Sequence, residues 1–113
     1  MKPLYVPERG DLVWLDFDPQ AGHEQSGKRP AIILSPSEYN ARIGLCVVCP
    51  ITSKEKGYPF EVQINEKRIS GVVLSDQIKS LDWKVREIGF IEKASKAVLE
   101  LVAENIQLLI GIT

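Results

Sequence analysis

Only one stretch of this chain repeats its apolar residues at helical spacing, and it stands at the C-terminal end. From Ser95 onward, Val98, Leu101, Val102, Asn105, Ile106, Leu108 and Leu109 recur at three- and four-residue steps, and the pattern stops near Gly111. Everything before it is cut by proline, glycine and polar residues into short β-branched or alternating runs. That combination limits the fold to a small antiparallel sheet finished by one helix. Ser95 is expected to cap the helix, because its hydroxyl can accept a hydrogen bond from an amide that the first turn leaves without a partner.

Residues 11–17, bounded by Gly10 and Pro19, predict the first strand. Residues 18–29 carry Pro19, Gly22, Ser26 and Gly27 and follow neither period, which predicts a long polar loop of the kind that usually serves function. Runs at 30–35 and 45–51 predict two further strands, with turn residues and room for one helical turn at 36–44. After a loop at 54–59, residues 60–64 alternate apolar and polar, 65–70 turn the chain, and 71–74 begin another apolar run. Residues 78–91 fit no single pattern and show only fragments of strand character around Trp83, Val85 and Ile88. The expected fold is mainly β with a C-terminal helix, built from five to seven strands in a strongly bent sheet or partly open barrel. At 113 residues the chain supports one hydrophobic core, hence a single domain spanning 1–113.

Several function classes lose ground at this stage. The apolar stretches at 31–34 and 45–51 fall far below the roughly 20 residues that cross a bilayer, and no charged-then-apolar leader opens the chain. A cytoplasmic protein without a membrane partner is expected. There is no H-x-x-x-H, no glycine-rich phosphate loop with its lysine and no G-x-S-x-G, so neither a metal nor another cofactor is expected. Cys46 and Cys49 have C-x-x-C spacing, but residues three apart on a strand point to opposite faces. They are expected to be inert core thiols. With 14 basic and 15 acidic residues, the chain exerts no global pull on a polyanion. Any nucleic-acid binding must come from a local basic surface, within a Debye length of roughly 8 Å.

Three stretches carry chemistry. The first places His23, Glu24, Gln25, Lys28 and Arg29 together, with two glycines nearby. Arg29 precedes Pro30 and is therefore held extended, and a guanidinium fixed at a strand edge offers a planar fork to phosphate. The competing explanation is an ion pair tying the loop to the sheet. The second stretch ends a strand in two hydroxyls, Thr52 and Ser53, followed by Lys54 and Lys56. Here the competing explanation is a hydroxyl satisfying a turn amide beside solvated lysines. The third stretch contains Asp76, Gln77, Lys79, Ser80, Trp83, Lys84 and Arg86. Basic residues interleaved with an aromatic suit single-stranded RNA, whose bases stack while its backbone is neutralised; core packing explains Trp83 equally well. His23 is the sole histidine, so a mechanism using two imidazoles within one subunit is excluded.

At these residues the chain resembles the MazF/PemK family of bacterial toxins. The likeness covers nearly the whole chain: Arg9-Gly-Asp-Leu-Val-Trp, Phe17-Asp-Pro, Gly22-His-Glu-Gln-Ser-Gly-Lys-Arg-Pro, Pro50-Ile-Thr, Lys56-Gly-Tyr-Pro-Phe-Glu-Val and Gly71-Val-Val-Leu-Ser-Asp-Gln-Ile-Lys-Ser. The resemblance implies an SH3-like or plasmid-maintenance-toxin barrel and a homodimer. It further implies a MazE-like antitoxin whose flexible segment covers the RNA site. The implied activity is sequence-specific, metal-independent cleavage of single-stranded messenger RNA to 2′,3′-cyclic phosphate and 5′-hydroxyl ends. The ribose 2′-hydroxyl is then the internal nucleophile, so proximity is already supplied.

Carried over by position, Arg29 would stabilise the charge of the transition state and Thr52 would hold the phosphate. Glu24 and His23 match positions implicated in acid–base work. Asp76 matches a proposed base of the PemK branch, whose companion arginine corresponds to Leu74 here, so the scheme built on Arg29 and Thr52 is favoured. Gln25, Lys28, Ser53, Lys54, Lys56, Asp76, Gln77, Lys79, Ser80 and Arg86 are assigned to substrate binding. Two alternatives stay open: an SH3-like module that binds RNA or protein without cutting, and a gyrase-directed toxin that uses an exposed apolar C-terminal helix.

Overall fold

Both expected periodicities become structure in the computed structural model, which describes residues 4–18 and 27–111. In chain order the elements are β1 (Asp11–Asp16), β2 (Lys28–Ile33), α1 (Ser37–Ile43), β3 (Leu45–Thr52), β4 (Glu61–Asn65) and β5 (Ser70–Leu74). A 3₁₀ turn (Ser75–Gln77) follows, then β6 (Lys79–Asp82), β7 (Gly89–Lys93) and α2 (Lys96–Ile110). Seven strands form one curled sheet in the order β4-β5-β3-β2-β1-β7, with β6 also joined to β3. The strand pairs are antiparallel. This is the mainly β architecture with a closing C-terminal helix that the sequence predicts.

The longest strand, β3, organises the rest. One edge holds β2, through Ala31↔Pro50, Ile32↔Cys49 and Ile33↔Val48. The other edge holds β5 and then β6 in succession, from Ile51↔Val73 to Val48↔Lys79. Three steps along β3, from Ile51 to Val48, are matched by six along its partner, from Val73 to Lys79; the three extra residues are the 3₁₀ turn. The excursion lies beside Pro50, which has no amide to offer a ladder. Asp76 and Gln77 are thereby pushed out of the sheet.

Strand alternation sorts the core into two layers. Leu12, Ile32, Cys49 and Ile51 face the β4–β5 hairpin and the α2 residues Val98 and Val102. Val13, Leu15, Ala31, Ile33, Cys46 and Val48 face the opposite way, toward Phe17 and Trp83. A sheet covered on both faces needs apolar residues at every position, which is why these strands read as continuous runs. Each large side chain fully removed from water contributes roughly 1.5–3 kcal/mol. Cys46 and Cys49 fall into different layers, both as free thiols. Burial pushes each thiol up to about 12, which keeps both as uncharged core residues.

Four local expectations need adjustment. β2 begins at Lys28, so Lys28 and Arg29 belong to a strand, with Arg29 opposite Leu15. The segment after β2 forms seven helical residues, stopped by Gly44 at φ 83°. Its buried Asn40 explains why it stays folded: the side-chain amide donates to the carbonyls of Pro7 and Ser35, and its oxygen accepts from the Ser35 hydroxyl. Trp83, one candidate for base stacking, is 1% exposed and its indole N–H donates to the Asn40 carbonyl at 2.9 Å. It is a core residue, in a turn between β6 and β7 where strand character had been read. In α2, capped by Ser95 as expected, Val98 and Val102 are buried while Leu101, Leu108, Leu109 and Ile110 remain exposed. Among the described residues no helix is long and apolar enough to cross a membrane.

Candidate active-site cleft

The ladder between β2 and β3 is what brings the first two stretches together. Its recorded register ends at Ala31↔Pro50. Continued two residues outward, it sets Arg29 opposite Thr52, and both side chains line one cleft of 180 Å³. Thr52 is almost fully buried, and its hydroxyl oxygen accepts from the Lys54 amide at 3.1 Å. The turn-amide explanation for Thr52 is therefore realised. It does not compete with ligand binding, because an accepting hydroxyl keeps its own proton to donate. Behind it, Gly71 at φ 136° runs so close that a Cβ there would stand 2.3 Å from the Thr52 carbonyl oxygen. Only glycine lets β5 support the threonine at this distance.

Lys54, Lys56 and Gln77 line the same cleft, over the apolar side of Leu74. The loop bearing the lysines is shaped by one carboxylate: Glu61 of β4 accepts from the amides of Lys56 at 2.9 Å and Gly57 at 2.8 Å. That turn delivers Tyr58 to the rim, where its hydroxyl donates to Asp76 at 2.9 Å. Burial and this bond push the phenol up to about 12, so it stays a donor at neutral pH. Tyr58 was given no role from the sequence, although it stands inside the Gly-Tyr-Pro stretch. The signal was present, but the contact that gives it meaning spans 18 positions.

A second cleft, of 270 Å³, shares Arg29 and Thr52 with the first and adds Lys28, Ser53, Arg68 and Ser70. Lys28 also approaches Glu87 at 3.7 Å, in a solvent-exposed pair. Lys79 and Ser80 enter the β6 ladder opposite Val48 and Val47 and line neither cleft. Arg86 lines neither as well: its guanidinium donates to the carbonyls of Asp16 at 3.0 Å and Asp18 at 2.7 Å, tying down the exit of β1. His23, Glu24 and Gln25 lie outside the described residues.

Among the described residues the arrangement gathers cations and hydroxyls, with no carboxylate lining either cleft. That suits a phosphodiester, with a guanidinium and a hydroxyl at the junction and ammonium groups beside it. A groove of 530 Å³ between α2, Leu34 and Ile78 is mostly apolar and stands apart from this chemistry.

The family model described as PemK-like, MazF-like toxin of type II toxin-antitoxin systems matches residues 8–110. The endoribonuclease toxin MazF of Escherichia coli (strain K12) is 48% identical over 113 residues, covering 98% of this chain and 100% of that protein. The endoribonuclease toxin ChpB of the same strain is 37% identical over 99 residues, covering 82% of this chain and 84% of its own. A MazF crystal structure from Deinococcus radiodurans superposes with a TM-score of 0.92 at 50% identity, covering 96% of this chain and 99% of that one. A MazE–MazF complex from the same organism superposes with a TM-score of 0.85 at 44% identity, with the same coverage.

Proposed function

This chain belongs to the PemK-like, MazF-like toxin family of type II toxin–antitoxin systems, and from that premise we propose that it is a sequence-specific, metal-independent endoribonuclease acting on single-stranded messenger RNA in the cytoplasm. The observation that carries the reading is the convergence of Arg29 and Thr52, which stand 23 positions apart in the chain, on one cation-rich cleft. The relatives named as endoribonucleases support it.

In this reading the scissile phosphate sits at the junction of the two clefts. The ribose 2′-oxygen attacks phosphorus, the bond from phosphorus to the 5′-oxygen breaks, and a cyclic phosphate remains. One proton leaves the 2′-hydroxyl and one reaches the departing oxygen. Arg29 and Thr52 stabilise the charge that gathers on the non-bridging oxygens. His23 and Glu24 are the proposed acid–base groups, with Gln25, Lys28, Ser53, Lys54 and Lys56 on the flanking nucleotides. Asp76, held by Tyr58, together with Gln77 offers hydrogen bonds to base edges at the rim.

A cognate MazE-like antitoxin is the proposed inhibitor, supported by the MazE–MazF complexes of the Deinococcus relatives. The exposed leucines of α2 and its apolar groove support a homodimer. A long unstructured RNA incubated with the purified protein in EDTA tests the activity. New 5′-hydroxyl and 2′,3′-cyclic phosphate ends at a recurring sequence are expected. Intact RNA, or cleavage that needs an added metal, would retire the reading and favour a binding module.

A further inference from the structure

We infer that Arg68, at the tip of the β4–β5 hairpin, grips the backbone phosphate next to the scissile one and so fixes how the RNA strand crosses the site. This deepens the RNA-cleaving reading and rests on it. The two clefts meet at Arg29 and Thr52 and diverge from there, one toward Lys54 and Lys56, the other toward Arg68 and Ser70. A strand laid over the junction thus meets cations on both sides of the bond being cut.

Arg68 is held as a positioned group would be. The Glu92 carboxylate of β7 accepts from the backbone amides of Arg68 at 2.8 Å and Ile69 at 3.0 Å. The Glu66 amide donates to the Ile69 carbonyl across the turn, and the Glu66 carboxylate accepts from the Ser95 amide at the start of α2. Ile69 is sunk in the core, so the tip is fastened at three points. The guanidinium itself makes no hydrogen bond or ion pair among the described residues, whereas those of Arg9 and Arg86 are spent on carbonyl oxygens. Of the two other cations lining this cleft, Lys28 already faces Glu87 and Arg29 stands at the junction with the first cleft. A fixed backbone carrying an uncommitted guanidinium beside a phosphate-sized cleft is the geometry of a phosphate grip. Glu92 is then a positioning residue for it.

The test uses an RNA spanning a cleavage site mapped with the wild-type protein, and the same oligonucleotide carrying a 2′-methoxy group at the cut nucleotide for binding. Arg68→Gln is expected to weaken binding about five-fold, the scale of one solvent-exposed ionic contact. Its plot of log Kd against log salt should flatten by about 0.7, as one lost phosphate contact on a single strand predicts. In cleavage the loss falls on KM rather than kcat. Replacing one flanking phosphate by an uncharged methylphosphonate should weaken the wild type by the same factor and leave Arg68→Gln no weaker than before. Lys67→Ala, on the same hairpin and lining neither cleft, should bind like the wild type. Unchanged affinity and salt slope in Arg68→Gln, or equal sensitivity of both proteins to every methylphosphonate, overturns the assignment while leaving RNA cleavage standing. A wild type that makes no cuts overturns both.

Discussion

Two polar clusters in this molecule handle charge in opposite ways. At one, Asp11 is buried beneath the N-terminal segment and surrounded by donors: the Tyr5 hydroxyl, the Glu8 amide at 3.0 Å and the Lys93 ammonium at 2.5 Å. Lys93 also reaches Glu8 at 3.0 Å, so each charge has an opposite beside it. At the other, Arg29, Lys54, Lys56, Lys28 and Arg68 converge on two joined clefts that no carboxylate lines among the described residues. The first cluster repays its desolvation from within and ties β1 to β7. The second, where Lys28 faces Glu87 only in an exposed pair, presents a net positive field to a ligand in the clefts. A net charge of -1 therefore conceals a segregation by which the protein offers a polyanion a local basic surface.

That contrast predicts which measurement each cluster moves. Arg29→Ala should lower kcat/KM by at least about 100-fold, the scale of a lost transition-state donor, with the melting temperature nearly unchanged. Comparable losses in both would mean that Arg29 ties the fold together, and the two clusters would cease to differ. Gly71→Ala probes the support of the second cluster, because the new methyl would collide with the Thr52 carbonyl. A loss of about 2–3 kcal/mol in denaturant titrations is expected, with activity falling in the molecules that remain folded. Asp11→Ala should cost about 1–2 kcal/mol, since its lysine partner is half-exposed, and should leave kcat/KM of the folded protein unchanged.

The smallest effect is a pH dependence. Hydrogen bonding to Asp11 leads the interactions that raise the pKa of Lys93 above 10.5. A group raised on folding stabilises fully below its unfolded value and loses that contribution as pH climbs through the folded one. Melting temperature should therefore fall more steeply above pH 10.5 in the wild type than in Lys93→Met. Parallel curves would remove Lys93 from the account of the hub.

Much of the fold was legible because its signals are local. The helix from Ser95, the first strand and the opposed faces of Cys46 and Cys49 follow from periods of a few residues. Thr52 and Arg29 were also legible as candidates, each by its position at a strand end and by the family motifs. Trp83 was not: an aromatic among lysines looks the same whether its ring meets a base or the Asn40 carbonyl. Tyr58 and Arg68 were missed for a related reason, since their roles depend on Asp76 and Glu92, 18 and 24 positions away.

By itself, the order of residues determined the strands, the closing helix, the double-sided core and the family. Tertiary structure alone decided that Arg29 and Thr52 line one cleft, that the turn beside Pro50 lifts Asp76 and Gln77 out of the sheet, and which arginines are spent on the protein's own carbonyls. Local preference acts within a turn or a strand. Register between strands is settled only when the whole sheet chooses one alignment, and the candidate cleft is assembled by that choice.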